Sequence, residues 1–140
     1  MERLEALVDF FEQLTPGDVS RFGDFYAMDA VFKDPFNEVR GVANIANIFA
    51  HMFRTLEQPR FQVSECFRSD RGAMLLWDFH FCRGGKAQTI RGTTHLRFDQ
   101  TGKINWHRDY WDAAEELYLK LPLLGTLMRA LQRRLAVPPL

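Results

Sequence analysis

At Arg60 the hydrophobic period of this chain changes. Before it, Ile45, Ile48, Phe49, Met52, Phe53 and Leu56 recur at i, i+3, i+4, i+7 and predict a helix over 42–57, ended by Pro59. After it, apolar and polar residues alternate, and stretches 60–69, 72–83, 86–99 and 102–112 read as four strands. Arg83-Gly84-Gly85-Lys86 and Asp99-Gln100-Thr101-Gly102 are tight-turn sequences, so consecutive strands pair antiparallel as a meander. A sheet with one apolar face must bury it, and the cover available is the helices upstream. The plan is α+β: a curved sheet, helices on one side, and a cone with an open mouth.

Upstream, Leu4, Leu7, Val8, Phe11 and Leu14 predict an amphipathic helix over 3–14, stopped by Thr15-Pro16-Gly17-Asp18. Asp18 is placed to cap a short second helix carrying Val19, Phe22 and Phe25. Ala30–Asp34 reads as a short strand and Asn37–Gly41 as a loop. Beyond residue 112, Leu117, Leu121, Leu124, Met128, Leu131 and Leu135 form an apolar seam broken by Pro122, which predicts two helices meeting near residue 121. Residues 1–112 are read as the core and 113–140 as a helical extension of the same domain.

At 140 residues the chain suits one domain. Its zero formal net charge gives no electrostatic pull toward nucleic acid. Two cysteines, Cys66 and Cys82, have no metal-type spacing and read as reduced thiols. With no long apolar run and no leader pattern, the expected location is the cytoplasm. Thirteen Phe, three Trp and three Tyr are enough to fill a core or to line a cavity for a flat, greasy ligand.

Few residues offer chemistry. Asp34 stands between Phe32 and Phe36, where a strand hands over to a loop. It is either a general base raised by its apolar setting or a turn residue bonding its own loop before Pro35. By period two, Asn105, His107, Asp109 and Trp111 share one strand face and Trp106, Arg108 and Tyr110 the other. A carboxylate near an imidazole orients the ring, so His107 and Asp109 are a candidate polar pair, catalytic or structural. His80, His95 and His107 lie on successive strands but out of phase, so no metal is expected. His51 lies off the apolar stripe of its helix and faces solvent. The basic tail, with Lys120, Arg129, Arg133 and Arg134, reads as a docked helix, a lid, a dimer arm or a membrane-surface helix.

The order of Pro16-Gly17-Asp18, Asp34-Pro35, Thr94-His95-Leu96-Arg97-Phe98, Gly102-Lys103 and His107-Arg108-Asp109-Tyr110-Trp111 resembles the nuclear transport factor 2-like superfamily. Within it the chain is similar to the SnoaL-like and ketosteroid-isomerase-like branch, over residues 1–112. The resemblance implies a cystatin-like cone with the first strand face turned inward. Ile90, Gly92, Thr94 and Leu96 would join it, with Trp77, Phe79 and Phe81 on the strand before. It implies a homodimer and a small apolar cyclic or carbonyl ligand handled without cofactor. The isomerase base position falls on Asp34, and the last-strand acid–base position of the polyketide cyclases on Asp109. The two oxyanion donors of the isomerases fall on Phe10, which has no hydroxyl, and Thr94, a weaker donor, so the isomerase mechanism itself is not implied. Phe10, Trp77, Phe79, Thr94 and Trp111 are the expected ligand contacts, and Asp34, His107 and Asp109 the expected catalytic groups. A non-catalytic binding or interaction module on the same fold is the alternative.

Overall fold

The computed structural model describes residues 2–140 in two compact units, the first ending at Tyr110 and the second running from Trp111 to Leu140. In the first unit helix α1 (Glu2–Glu12) buries Leu7, Phe10 and Phe11. A 3-10 turn (Pro16–Arg21) and the short helix α2 (Phe22–Phe25) follow. Here the cap differs from expectation. Thr15 takes the N-cap position, and its backbone N–H and hydroxyl donate to the Asp18 carboxylate at 2.9 and 2.8 Å. Asp18 thus reaches back from the first turn. Those bonds hold its carboxyl below the usual range.

Helix α3 (Val42–Thr55) buries Ile45 and Phe49, two residues of its apolar stripe. It starts at Gly41, whose φ of 100° is open to glycine and strained for other residues. Its Phe49 meets Phe22 edge-on at 4.8 Å, and Phe22 stacks on Tyr26 at 5.4 Å. Phe10 stacks on Phe25 at 4.3 Å. Aromatic contacts of this kind lock α1, α2 and α3 around one core.

Six strands form one sheet among the described residues, in the order β2-β1-β6-β5-β4-β3. They are β1 (Tyr26–Lys33), β2 (Glu38–Arg40), β3 (Glu57–Arg68), β4 (Gly72–Arg83), β5 (Lys86–Phe98) and β6 (Ile104–Tyr110). The meander β3–β6 is the one expected, each strand antiparallel to the next. The rest of the sheet differs. β1 begins four residues before the expected strand and stops before Asp34. Residues 38–40, read as loop, form β2 and pair antiparallel with β1, Val31 opposite Arg40 and Lys33 opposite Glu38. Three residues are too few for alternation to announce a strand. β1 also lies parallel to β6, with Phe32 opposite His107.

One phase assignment is corrected. The β5–β6 register shifts between Arg97 and Phe98, from Arg97 opposite Trp106 to Phe98 opposite Ile104. Asn105 is the extra residue of this bulge, so it is exposed, and Ile104 is buried in its place. From His107 onward the expected phase holds.

The second unit comprises α4 (Ala113–Glu116), a 3-10 turn (Tyr118–Lys120) and α5 (Pro122–Leu135). Asp112 caps α4 by accepting from the Glu115 N–H at 3.1 Å. Pro122 sits in the first turn of α5, where its missing N–H would be unpaired in any case. The helix break therefore falls at residue 121, as the sequence predicts. No helix among the described residues is long and apolar enough to cross a membrane.

Gly92 lies directly under the Trp77 indole, to which it is cross-strand neighbour. A Cβ there would meet Trp77 Cη2 at 2.5 Å. Gly92→Ala is expected to cost about 1–3 kcal/mol by overpacking. The check is a urea titration followed by near-ultraviolet circular dichroism, in which the Trp77 signal changes as well.

Candidate functional site

Five side chains from four strands form one continuous hydrogen-bonded chain inside the sheet. Tyr26, the first residue of β1, places its hydroxyl 2.7 Å from His107 Nδ1. His107 Nε2 lies 2.8 Å from Asp109 Oδ1. The Thr94 hydroxyl donates to that same oxygen at 2.6 Å, and the Trp77 indole N–H donates to Thr94 Oγ1 at 2.7 Å. Tyr26, His107, Thr94 and Trp77 are buried. Alternation puts His107 and Asp109 on one face of β6, and pairing puts Thr94 opposite Asp109. Parallel pairing of β1 then carries Tyr26 to the far side of the imidazole.

The donors and acceptors fit one protonation pattern. Asp109, ionised, accepts from Thr94 and from the Nε2–H of a neutral His107. That leaves Nδ1 as an acceptor for the Tyr26 hydroxyl proton. A His107 protonated at both nitrogens would turn a second N–H toward Tyr26 and strip its hydroxyl proton of this acceptor. The carboxylate therefore selects the tautomer. Both bonds fall on Oδ1, and among the described residues none donates to Oδ2.

Asp109 and His107 line a cavity with Thr94, Trp77, Phe11, Phe49, Phe61, Val63 and Leu75. One wall is polar and the rest is aromatic and aliphatic. No Lys or Arg is in the lining, so an ionised Asp109 gives it a negative charge. The free volume is about 20 Å³, room for one water-sized group. Phe61 meets Trp77 edge-on at 5.6 Å, and Phe11 meets His107 edge-on at 6.1 Å. Those rings occupy much of the space inside the sheet.

The residues singled out by sequence therefore separate. His107, Asp109, Thr94 and Trp77 come together. Asp34 does not join them. Its Oδ1 accepts the backbone N–H groups of Phe36 at 2.8 Å and Asn37 at 2.6 Å, and the Asn37 side-chain amide reaches both of its oxygens at 3.2 Å. Of the two roles open to it, it takes the turn role, clamping the loop from β1 to β2. Phe10 is buried against Phe22 and Phe25 and does not line the cavity. Phe79 is buried between Phe61 and Phe81, also off the lining. Trp111 falls past the end of β6, in the second unit. Among the described residues no group of three His, Cys, Asp or Glu could hold a metal ion. His80 instead bonds Thr89 and Gln62 on the other sheet face.

Sequence reasoning missed Tyr26, which stands 81 residues from His107 at the seam of α2 and β1. Only a recognised β1–β6 pairing could have pointed to it.

Burial pushes the Tyr26 phenol well above its usual range, and the Asp109 carboxylate adds to the shift. A raised phenol pKa stabilises the fold below the unfolded-state value, near 10. That contribution is lost as pH rises toward the folded value, because the unfolded chain then releases its proton first. The absorbance titration of native protein is expected to show no Tyr26 step through pH about 10. Tyr26→Phe should leave the native titration curve unchanged over that window and remove part of the alkaline loss of stability. A tyrosine step that disappears in the variant would contradict the buried, hydrogen-bonded phenol.

The sequence matches the SnoaL-like domain family over residues 7–107. No curated protein matches the chain. Among solved structures, it is similar to a hypothetical protein with a ketosteroid-isomerase-like fold from Catenulispora acidiphila in complex with trimethylamine, with 17% identity and TM-score 0.69. That alignment covers 83% of this chain and 89% of the other. A protein described as a SnoaL-like polyketide cyclase from Shewanella putrefaciens aligns with 18% identity and TM-score 0.68, over 86% of this chain and 98% of that one. An epoxide hydrolase of the LEH-like type from Mycobacterium tuberculosis aligns with 16% identity and TM-score 0.68, over 93% of each. At these identities the structural likenesses speak for the fold alone. The family match, which spans most of the chain and takes in Tyr26, Trp77, Thr94 and His107 but ends two residues before Asp109, identifies this protein as a member of the SnoaL-like domain family.

Proposed function

We propose that this protein binds a small, uncharged, apolar cyclic or carbonyl compound and acts on it by cofactor-free acid–base chemistry. The observation that carries the reading is Asp109 in the lining of a largely apolar cavity, with one oxygen held by Thr94 and His107 and, among the described residues, no donor on the other. An oriented carboxylate with one free oxygen is placed to take a proton from a carbon acid or from a single water. The bond to that hydrogen breaks, its electrons stay on substrate or hydroxide, and Asp109 becomes the carboxylic acid until the proton is returned. His107 positions Asp109, and Tyr26 fixes His107. Trp77 supports Thr94 from the opposite end.

Charge narrows the ligand. A carboxylate in a lining without Lys or Arg repels carboxylates and phosphates, and it favours neutral molecules bearing a donor or an acidic C–H. Size narrows it too. In this conformation the cavity takes the reacting group, and a ring would require Phe11 or Phe61 to turn aside. The polyketide cyclase and epoxide hydrolase among the structural relatives support small-molecule chemistry on this fold. The second reading, a non-catalytic binding module, is favoured by the aromatic filling of the cavity and by the absence of a hydroxyl at Phe10.

Cyclohexanone in D2O provides a test, with proton-to-deuteron exchange next to its carbonyl followed by NMR. Wild-type protein is expected to accelerate exchange, and Asp109→Asn to lower that rate by at least about a hundredfold. Asp34→Asn should leave the rate unchanged, because an amide oxygen still accepts the Phe36 and Asn37 N–H groups. Binding without exchange in wild type would assign the cavity to the non-catalytic module. Loss of exchange in Asp34→Asn alone would return the base role to Asp34.

A further inference from the structure

Helix α5 carries Leu123, Leu124, Leu127, Leu131 and Leu135 within an arc of about 120° of its surface. These leucines are exposed, Leu123 at 89%, Leu127 at 66% and Leu135 at 74% of their full accessibility. The arc takes in Leu124, Leu131 and Leu135 of the apolar seam read from the sequence. Leu123 and Leu127, absent from that seam, are its most prominent members apart from Leu135.

Charge points to what covers the arc. Four of the chain's 18 Lys and Arg lie after Glu116, and none of its 18 Asp and Glu do. The tail is therefore +4 and the remainder −4 in a chain of zero net charge. Lys120 is tied to Glu116 at 3.8 Å, while Arg133 and Arg134 are exposed in the last turn of α5. On the helical wheel Arg134 falls within the leucine arc and Arg133 about 80° outside it. A leucine arc on a tail with no Asp or Glu after Glu116 has the make-up of a helix that lies in the interface of an anionic bilayer. Two copies of α5 packed on each other would bring like charges together. An anionic lipid surface meets both features at once, leucines in the acyl boundary and guanidinium groups among the headgroups.

We infer that α5 is a surface anchor for anionic membranes, with its axis in the membrane plane. The occupant of the leucine face is the lipid headgroup–acyl boundary. The acidic remainder of the chain is repelled by the same surface, so contact is confined to the tail.

The test is co-sedimentation of the full chain with vesicles of phosphatidylcholine alone and of phosphatidylcholine with phosphatidylserine. The chain is expected to sediment with the anionic vesicles, to stay in solution with the neutral ones, and to be released by high salt. Leu127→Glu with Leu131→Glu should abolish binding, since both side chains are exposed and their loss leaves the core intact. Arg133→Gln with Arg134→Gln should weaken it about thirtyfold. Equal distribution of wild type with and without anionic vesicles overturns the proposal, and this arm does not depend on how the variants fold. A concentration-dependent dimer in analytical ultracentrifugation, lost in the leucine variant and unaccompanied by vesicle binding, overturns it in favour of a second copy of the chain. Binding that is equal for neutral and anionic vesicles overturns the electrostatic part.

Discussion

The parallel pairing of β1 with β6 is the contact on which the rest of the first unit depends. It joins the amino-terminal half to the meander and sets Phe32 opposite His107. It also delivers Tyr26 to the imidazole. Parallel strands cannot be joined by a hairpin, so this pairing closes over the whole intervening chain and must be compensated by burial. Phe22, Tyr26, Phe32 and Ile45, all buried where the helices meet β1, supply it.

The polar chain is built into that burial. Its five members come from β1, β4, β5 and β6, and each buried donor has an acceptor. Buried polar groups are costly when half satisfied and specific when fully satisfied. Here the satisfaction also fixes a tautomer, because Asp109 takes Nε2–H and Tyr26 takes Nδ1. Asp109, with one oxygen left over, lines the cavity. Gly92 serves the same arrangement from below, as its missing side chain gives Trp77 the space from which it reaches Thr94.

Strand phase made much of this legible. Alternation placed His107 and Asp109 together and Thr94 and Trp77 on neighbouring inward positions, and all four line the cavity. Phase failed at Asn105, where a bulge adds a residue that no pattern announces. It stopped short at Phe79, which is off the lining, since an inward-facing register does not say which part of the face a cavity reaches. Asp34 is a different case. Its sequence setting allows a base or a turn clamp, and the choice depends on where two backbone N–H groups and one amide point.

The sequence by itself determined the helices, the meander and its turns, the break at Pro122 and the basic, leucine-rich tail, because each follows from local periodicity or from the chemistry of Pro and Gly. Tertiary structure decided the partner of β1, the strand at 38–40, the bulge at Asn105 and the role of Tyr26. Those depend on pairings between residues far apart in the chain, which leave no period behind them. It also decided the size of the cavity, since whether aromatic rings fill a space or line it is a matter of packing, and the same phenylalanines serve either outcome.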